Sequence, residues 1–503
     1  MNIRCFPLRY LNMWCIVACL ASTANIAQVK VASLSVTGNA ALSSTELLQH
    51  FELQPNSLFE KEILEQDLHA LLSRYETIGY PFARVSIEAI TPAQATDSMS
   101  IDIHLNVVEG QFVKINQIKP AGNKETLDDV IIRETGIRLG EEYNIDRVAK
   151  IRNRLNRLNI FSQVGDPELT MNDSGGVLTI PVMEGNTNTF DGVLGYIPAT
   201  NGNDGYFTGL VNISMRNLFG SARKLNVLWQ REGTNIQEIA LRYNEPWLFN
   251  YPVDLEGSFR QRQQDTTYVR RGYILKVDFH LFDEFFLAGI FSYESIIPAN
   301  SLTGVSLRST QTTTTGLELR YDSRNDMISP TNGVLYRSEY QIGKKTESSQ
   351  VTSATSSTVQ KLELDAVWLV QPFTRQVVSL ELHGRERSSD NIGIGELYRL
   401  GGSTTLRGYR ENQFLGSRIG WTNLEYRFLF SRRSFFFGFF DTGYYFLPDN
   451  QSQGLSSAQA FNYGYGIGTR IETAIGIVGV SFALGEGDSF NQGKIHFGLV
   501  NEF

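Results

Sequence analysis

The chain has 503 residues, of which 11% are aromatic and only 19% charged, with 44 Gly and 14 Pro. That length exceeds one ordinary core, and the mixture suits strands and turns better than a helical enzyme. A formal net charge of −8 argues against a nucleic-acid binder, which needs a basic face to meet phosphates.

All three cysteines, Cys5, Cys15 and Cys19, fall in the first 20 residues. The remainder can make no disulfide, thiolate metal site or cysteine nucleophile. Arg4 and Arg9 flank the start of a short apolar stretch, Tyr10 to Leu20, and small residues follow it. This is the order of a secretory signal peptide, expected over residues 1–27, with cleavage after Ala24 or Ala27. Ile16-Val17-Ala18-Cys19 also matches a lipoprotein cleavage box, which leaves the peptidase type open. No later stretch is apolar for the roughly 18 residues a helical span requires, so a membrane form would have to be a barrel.

From Val29 to Gly110 the chain reads strand, helix, helix, strand, strand. Val31 to Val36 is β-rich and ends at Gly38-Asn39. Ser43-Ser44-Thr45-Glu46 reads as a capping box opening a short helix. Leu64, Leu68, Leu71, Leu72, Tyr75 and Ile78 recur at helical spacing, and Gly79 stops them. Phe82 to Ile90 reads as a strand. Ile101, Ile103, Leu105 and Val107 alternate with polar residues, as in a strand with one buried face.

The pattern repeats. Ile115 to Ile118 leads to a second Gly-Asn, Gly122-Asn123. Val148, Ile151, Leu155 and Leu158 mark a helix, Phe161 to Val164 a strand, and Val177, Ile180 and Val182 the closing strand. The first unit closes on Val108-Glu109-Gly110 and the second on Met183-Glu184-Gly185, one compact domain length apart. This element order, with its Gly-Asn and Glu-Gly markers, resembles the POTRA domains of outer-membrane assembly and secretion proteins. The expected boundaries are 28–110 and 111–185. Such a unit presents a sheet edge that can accept another chain by β-augmentation. Read without the resemblance, the same stretch is two α+β spacer modules.

Beyond Gly185 helical spacing gives way to alternating segments separated by Gly, Asn, Asp and Ser turns. Leu225, Val227 and Trp229 share one parity, as do Ile239, Leu241 and Tyr243, and Leu275, Val277, Phe279 and Leu281. Leu362, Leu364, Ala366, Trp368 and Val370 alternate with Lys361, Glu363 and Asp365. Phe435 to Phe440 suits an aromatic interface belt. At roughly 20 residues per strand and connection, residues 186–503 hold about 16 antiparallel strands. The expected fold class is therefore two α+β domains followed by an all-β membrane barrel, with a soluble multi-sheet protein as the competitor. The terminal Phe503, with Gly498 before it, resembles the signal read by barrel-insertion machinery; Asn501 departs from that pattern.

Gly401-Gly402-Ser403-Thr404-Thr405-Leu406-Arg407-Gly408-Tyr409 is the most informative stretch. It resembles the Arg-Gly-aromatic motif of a loop that folds into the lumen in the BamA/TamA and two-partner-secretion families. The resemblance implies that Leu406, Arg407, Gly408 and Tyr409 form the loop motif and that an acid on the barrel wall holds Arg407. Phe439-Phe440-Asp441-Thr442-Gly443 resembles the family strand that supplies it, making Asp441 the candidate partner. Asp322 and Arg324, followed by Pro330 and Gly333, resemble the family's strand and turn. Gly464, Gly466, Gly468 and Arg470 also fit, whereas Ser481 stands where an acid is frequent.

The six histidines are scattered and form no His-Glu-x-x-His pair, and neither a nucleophile elbow nor a phosphate-binding loop is present. Ser221-Ala222-Arg223-Lys224 matches Ser-x-x-Lys only by chance, within a strand-like run. No enzyme chemistry, cofactor or metal is expected. The resemblance implies an assembly, insertion or translocation factor of the cell outer membrane, with its N-terminal domains in the periplasm. Its expected partners are unfolded outer-membrane or secreted client proteins, outer-membrane lipid, and periplasm-spanning or lipoprotein accessory subunits; nucleic acid is not expected. A dedicated two-partner-secretion pore is the first alternative, and two POTRA-like units suit it. That type usually carries a plug helix, for which the run from the signal into Val29-Lys30-Val31 leaves no room. A passive solute porin or receptor is the other alternative.

Overall fold

The computed structural model describes residues 29–93, 100–197, 206–265, 267–298, 308–327, 329–348, 354–450, 455–473 and 476–499. The expected signal peptide (1–27) and Phe503 lie outside them. The chain forms two compact units. The first takes residues up to Ile118 with Ile137–Ala149 and Leu169–Leu178; the second takes Lys119–Gly136, Lys150–Glu168 and Thr179–Phe503.

The first unit contains β1 (Lys30–Thr37), α1 (Ser44–Leu48), α2 (Lys61–Thr77), β2 (Arg84–Pro92) and β3 (Ser100–Val108). Its sheet order is β1-β3-β2, with β1 parallel and β2 antiparallel to the central β3. Leu64, Leu71 and Tyr75 from α2 close on Val31, Ile103, Leu105 and Val107 from the sheet. This is the core marked by the helical and alternating apolar positions. Ser43 caps α1 by accepting the Glu46 N–H at 3.2 Å.

A second set of elements follows: β4 (Lys114–Ala121), α3 (Asp128–Thr135), β5 (Glu141–Glu142), α4 (Ile145–Arg157), β6 (Phe161–Val164), β7 (Glu168–Asn172) and β8 (Gly175–Glu184). Their strands form one sheet in the order β5-β4-β8-β6, with β7 on β8.

The repeated Gly-Asn and Glu-Gly markers are the two halves of one clasp. Glu109 accepts the Ala40 and Ala41 N–H groups at 2.7 and 2.8 Å and the Tyr75 hydroxyl at 2.9 Å. Glu184 does the same after β4, accepting the N–H groups of Lys124, Glu125 and Thr126 at 3.0, 3.1 and 2.7 Å. Gly38 and Gly122 have φ of +78° and +99°, and a Cβ on either would lie 2.2 Å from a carbonyl oxygen, of Val107 or Val182. Only glycine fits these two turns.

The second unit holds a sixteen-stranded sheet running from Asn188–Ile197 to Lys494–Leu499. Every neighbouring pair is antiparallel. The first and last strands stand at the two ends of the order. Sequence neighbours pair throughout, except that Gln376–Ser388 pairs with Arg418–Leu429 across an inserted hairpin, Tyr398–Leu400 with Phe414–Gly416. Gly498 lies opposite Gly479 in the final pair.

The sheet's polarity is inverted relative to a soluble barrel. In the strand Ser309–Asp322, Thr310, Thr312, Thr314, Glu318 and Asp322 are buried, while Leu317 and Leu319 are exposed. Leu362, Leu364, Trp368 and Val370 likewise face outward. An apolar exterior on this scale would be costly in water at about 25 cal/mol per Å², and a lipid phase removes that cost. Phe435 to Phe440 is not one belt, however. Phe436 and Phe440 face outward, whereas Phe435, Phe437 and Phe439 are buried in the interior. The two-residue period of the strand splits the run.

Burial pushes the Glu109 carboxyl up, but the Ala41 and Ala40 N–H groups and the Tyr75 hydroxyl outweigh it and hold it below the usual carboxylate range. The clasp's stabilisation is therefore present above the ordinary carboxylate pKa and lost as pH falls through the lower, folded value. Glu109→Gln should weaken it by about 1–2 kcal/mol at neutral pH. Hydrogen exchange of the peptide holding Ala40 and Ala41 should accelerate roughly 5- to 30-fold. Unchanged exchange would remove the clasp as a stabilising element.

Candidate functional site in the barrel lumen

Strictly antiparallel order places successive connections on alternate rims of the barrel. The connections that follow Leu218, Asp322 and Leu429 share the rim at which Asn188 begins the first strand. Residues 389–417 leave from the opposite rim and fold inward. Within this loop Gly401 N–H donates to Thr405 Oγ1 at 2.9 Å, Ser403 N–H to Glu411 Oε1 at 2.6 Å, and Gly402 N–H to the Leu406 carbonyl at 3.0 Å. Leu406 is fully buried against Leu400 and Ile419, with Trp421 and Tyr445 packed around them.

Arg407 is held on three sides. Its Nε and Nη2 donate to the two oxygens of Asp441, each at 2.7 Å, and its backbone N–H reaches Asp441 Oδ2 at 3.1 Å. Its Nη1 donates to Glu425 Oε1 at 2.7 Å. The guanidinium carbon lies 3.7 Å from the centre of the Phe439 ring and 5.6 Å from that of Phe437. A planar fork of donors meets one carboxylate bidentately and a second one end-on, while the ring faces favour the cation. Glu425 is shared with Arg427, whose Nε donates at 2.8 Å. Arg427 and Arg470 lie over Phe435 at 5.2 and 5.5 Å.

Beyond Arg407 the tip rests on the last strands. Gly408, at φ +93°, donates its N–H to His496 Nε2 at 3.2 Å. A Cβ on Gly408 would lie 2.7 Å from the Gly485 nitrogen, and one on Gly464 would lie 2.0 Å from the Arg407 carbonyl oxygen. Tyr409 donates to the Tyr463 carbonyl at 3.0 Å and accepts the Glu486 N–H at 3.1 Å.

The structure thus brings Leu406, Arg407, Gly408, Tyr409 and Asp441 together. It places Asp322, Arg324, Pro330 and Gly333 at the other rim, in their own motif. Arg324 grips Asp322 with two bonds of 2.9 and 2.8 Å. Gly333, at φ +113°, passes so close to Ser323 O that a Cβ would lie at 2.5 Å. Sequence reading did not single out Glu425 or His496, and it took Phe437 and Phe439 for part of a belt rather than the floor beneath Arg407. Glu425 carried one signal: it alternates with Asn423 and Arg427 along one face of its strand.

A barrel with an apolar exterior, a charged lumen and an inward loop pinned by arginine, following tandem α+β repeats in the sequence, defines a class of outer-membrane-type barrel proteins. The chain belongs to the Omp85 superfamily, whose domain matches residues 217–503. The surface antigen variable number repeat (POTRA) matches residues 29–110 and 113–185. Among curated relatives, the outer membrane protein assembly factor BamA of Nitratidesulfovibrio vulgaris is 31% identical over 168 residues, 33% of this chain and 20% of that protein. BamA of Neisseria meningitidis serogroup B is 21% identical over 220 residues, 42% of this chain and 26% of the relative. The matched segments therefore span about a fifth to a quarter of these relatives. Two solved structures share the fold. Haemophilus ducreyi BamA lacking POTRA domains 1–3 superposes with a TM-score of 0.53 at 16% identity, covering 93% of this chain and 98% of that one. CdiB from Escherichia coli gives 0.54 at 16% identity, covering 95% and 91%.

Replacing Arg407 with Ala leaves Asp441 buried without its cation and Glu425 with Arg427 alone, which should destabilise the loop seat by about 3–5 kcal/mol. Gly464→Ala should have a similar effect without touching a charge, because its methyl displaces the Arg407 backbone. Thermolysin cleavage on the N-terminal side of Leu406, which is fully buried in the wild type and present in both variants, measures both in folded barrels. Resistance equal to wild type in the Gly464 variant would mean that the glycine seat does not govern the tip.

Proposed function

We propose that this protein inserts or translocates other polypeptides at the bacterial outer membrane. Residues 28–110 and 111–185 act as periplasmic POTRA-type domains and residues 186–503 as the membrane barrel. The observation that carries this reading is the Arg407 tip fixed by Asp441 and Glu425 inside a charged lumen, in a chain of the Omp85 superfamily. The first domain supports the reading, since β2 is an edge strand that carries exposed Ile87 and Ile90. An unfolded client could pair there as an added strand. The process calls for no cofactor and no enzymatic step, because removing a client's apolar surface from water supplies the driving force.

The relatives named assembly factors favour a general insertase. Two POTRA matches suit a dedicated secretion pore, and both versions need client proteins and lipid. Accessory periplasmic or lipoprotein subunits belong to the insertase version.

Depletion of the protein, followed by an inventory of outer-membrane and secreted proteins, separates these readings. Loss of many barrels indicates the insertase, and loss of one exported protein indicates the dedicated pore. An unchanged inventory, with ion conductance that survives deletion of residues 28–185, would leave a passive porin.

A further inference from the structure

Asp441 and Glu425 hold the tip of the lumen loop; a separate group of buried charges holds its base. We propose that Lys345 is the centre of a second, independent anchor, so that the loop is a brace fixed at two points across the lumen. Lys345 lies on the strand Gly333–Ser348 and has no solvent-exposed surface. Its ammonium sits 2.5 Å from Glu396 Oε2 and 2.6 Å from Glu347 Oε1, and it also donates to the Asn391 carbonyl. Glu396 and Asn391 belong to the loop; Glu347 belongs to the wall.

Arg387 extends the cluster. Its Nη1 donates to the Glu396 carbonyl at 2.9 Å and its Nη2 to Glu294 Oε1 at 2.5 Å. Arg270 reaches the other Glu294 oxygen at 2.6 Å. Asn450, from the next connection on that rim, donates to Asn391 Oδ1 and to the Ile392 carbonyl, both at 2.8 Å. Four cations, Lys345, Arg387, Arg270 and Arg308, the last 3.4 Å from Glu347 Oε2, meet three carboxylates, Glu347, Glu396 and Glu294. One of those carboxylates is the loop's own. Lifting the base would withdraw Glu396 and leave the cations short of one buried negative charge, which is strongly unfavourable.

The two anchors share no strand. The base is held by Tyr268–His280, Phe285–Pro298, Gly333–Ser348 and Gln376–Ser388. The tip is held by Arg418–Leu429, Phe435–Leu447, Ala458–Thr473 and the two strands after them. The loop therefore ties one stretch of the barrel wall to another, and this holds whatever passes through the barrel.

Site-directed thiols test the independence of the anchors. The natural cysteines all lie within the first 20 residues, so a cysteine placed at Ile392 or at Leu406 reports base or tip, both buried here. Intact cells carrying each reporter are treated with a membrane-impermeant maleimide. Lys345→Met should raise labelling at position 392 at least tenfold and leave 406 protected. Arg407→Ala should do the reverse. Heat-modifiable gel migration checks barrel assembly. Should Lys345→Met fail to assemble, Glu396→Gln, which keeps the side-chain shape and removes the loop's charge, should give the same pattern at smaller amplitude. Joint exposure of both positions in either variant, or protection of position 392 in the Lys345 and Glu396 variants, overturns the proposal.

Discussion

Everything in the barrel follows from one constraint: a charge taken out of bulk water must be met by an opposite charge in good geometry. A membrane barrel turns its apolar side chains outward and so collects its polar ones in a narrow interior. Arg407 is acceptable there because Asp441 and Glu425 receive three of its side-chain donors and two phenyl faces lie against it. The same demand locates the loop. A loop carrying a buried arginine cannot drift over the lumen; it sits where the carboxylates are.

The small domains obey a milder version of this rule. In each, a carboxylate at the end of the last strand gathers backbone N–H groups from the turn after the first strand. Orphan donors at a helix approach are thereby satisfied without a salt bridge. The glycine at each turn, pressed against the last strand's carbonyl, brings the two segments close enough for the clasp to form.

Much of this was legible in the residues. Period-two runs such as Leu362 to Val370 named the outward face, because alternation is local. The helix of Leu64 to Ile78 and its stop at Gly79 were equally local. The pairing of Arg407 with Asp441 was legible only through resemblance, since nothing in spacing alone connects residues so far apart. Glu425 and the Lys345 cluster were opaque for a physical reason. Which carboxylate faces which cation depends on the register of strands distant in sequence, and a one-residue slip sends every side chain to the other face. The aromatic run at 435–440 misled because five phenylalanines, interrupted only by Gly438, read as one surface. The strand gave alternate rings to lipid and to lumen cations.

The clasp has a consequence for variation. Glu109 and Glu184 recognise main-chain N–H groups, so the side chains of Ala40, Ala41, Lys124 and Glu125 take no part in holding their turns. One turn therefore carries two methyl groups and the other a cation and an anion on the same frame. Mutation can rewrite the chemistry displayed at these corners while the architecture beneath stays fixed. The repeat works as a socket whose outer face is free to diverge from copy to copy.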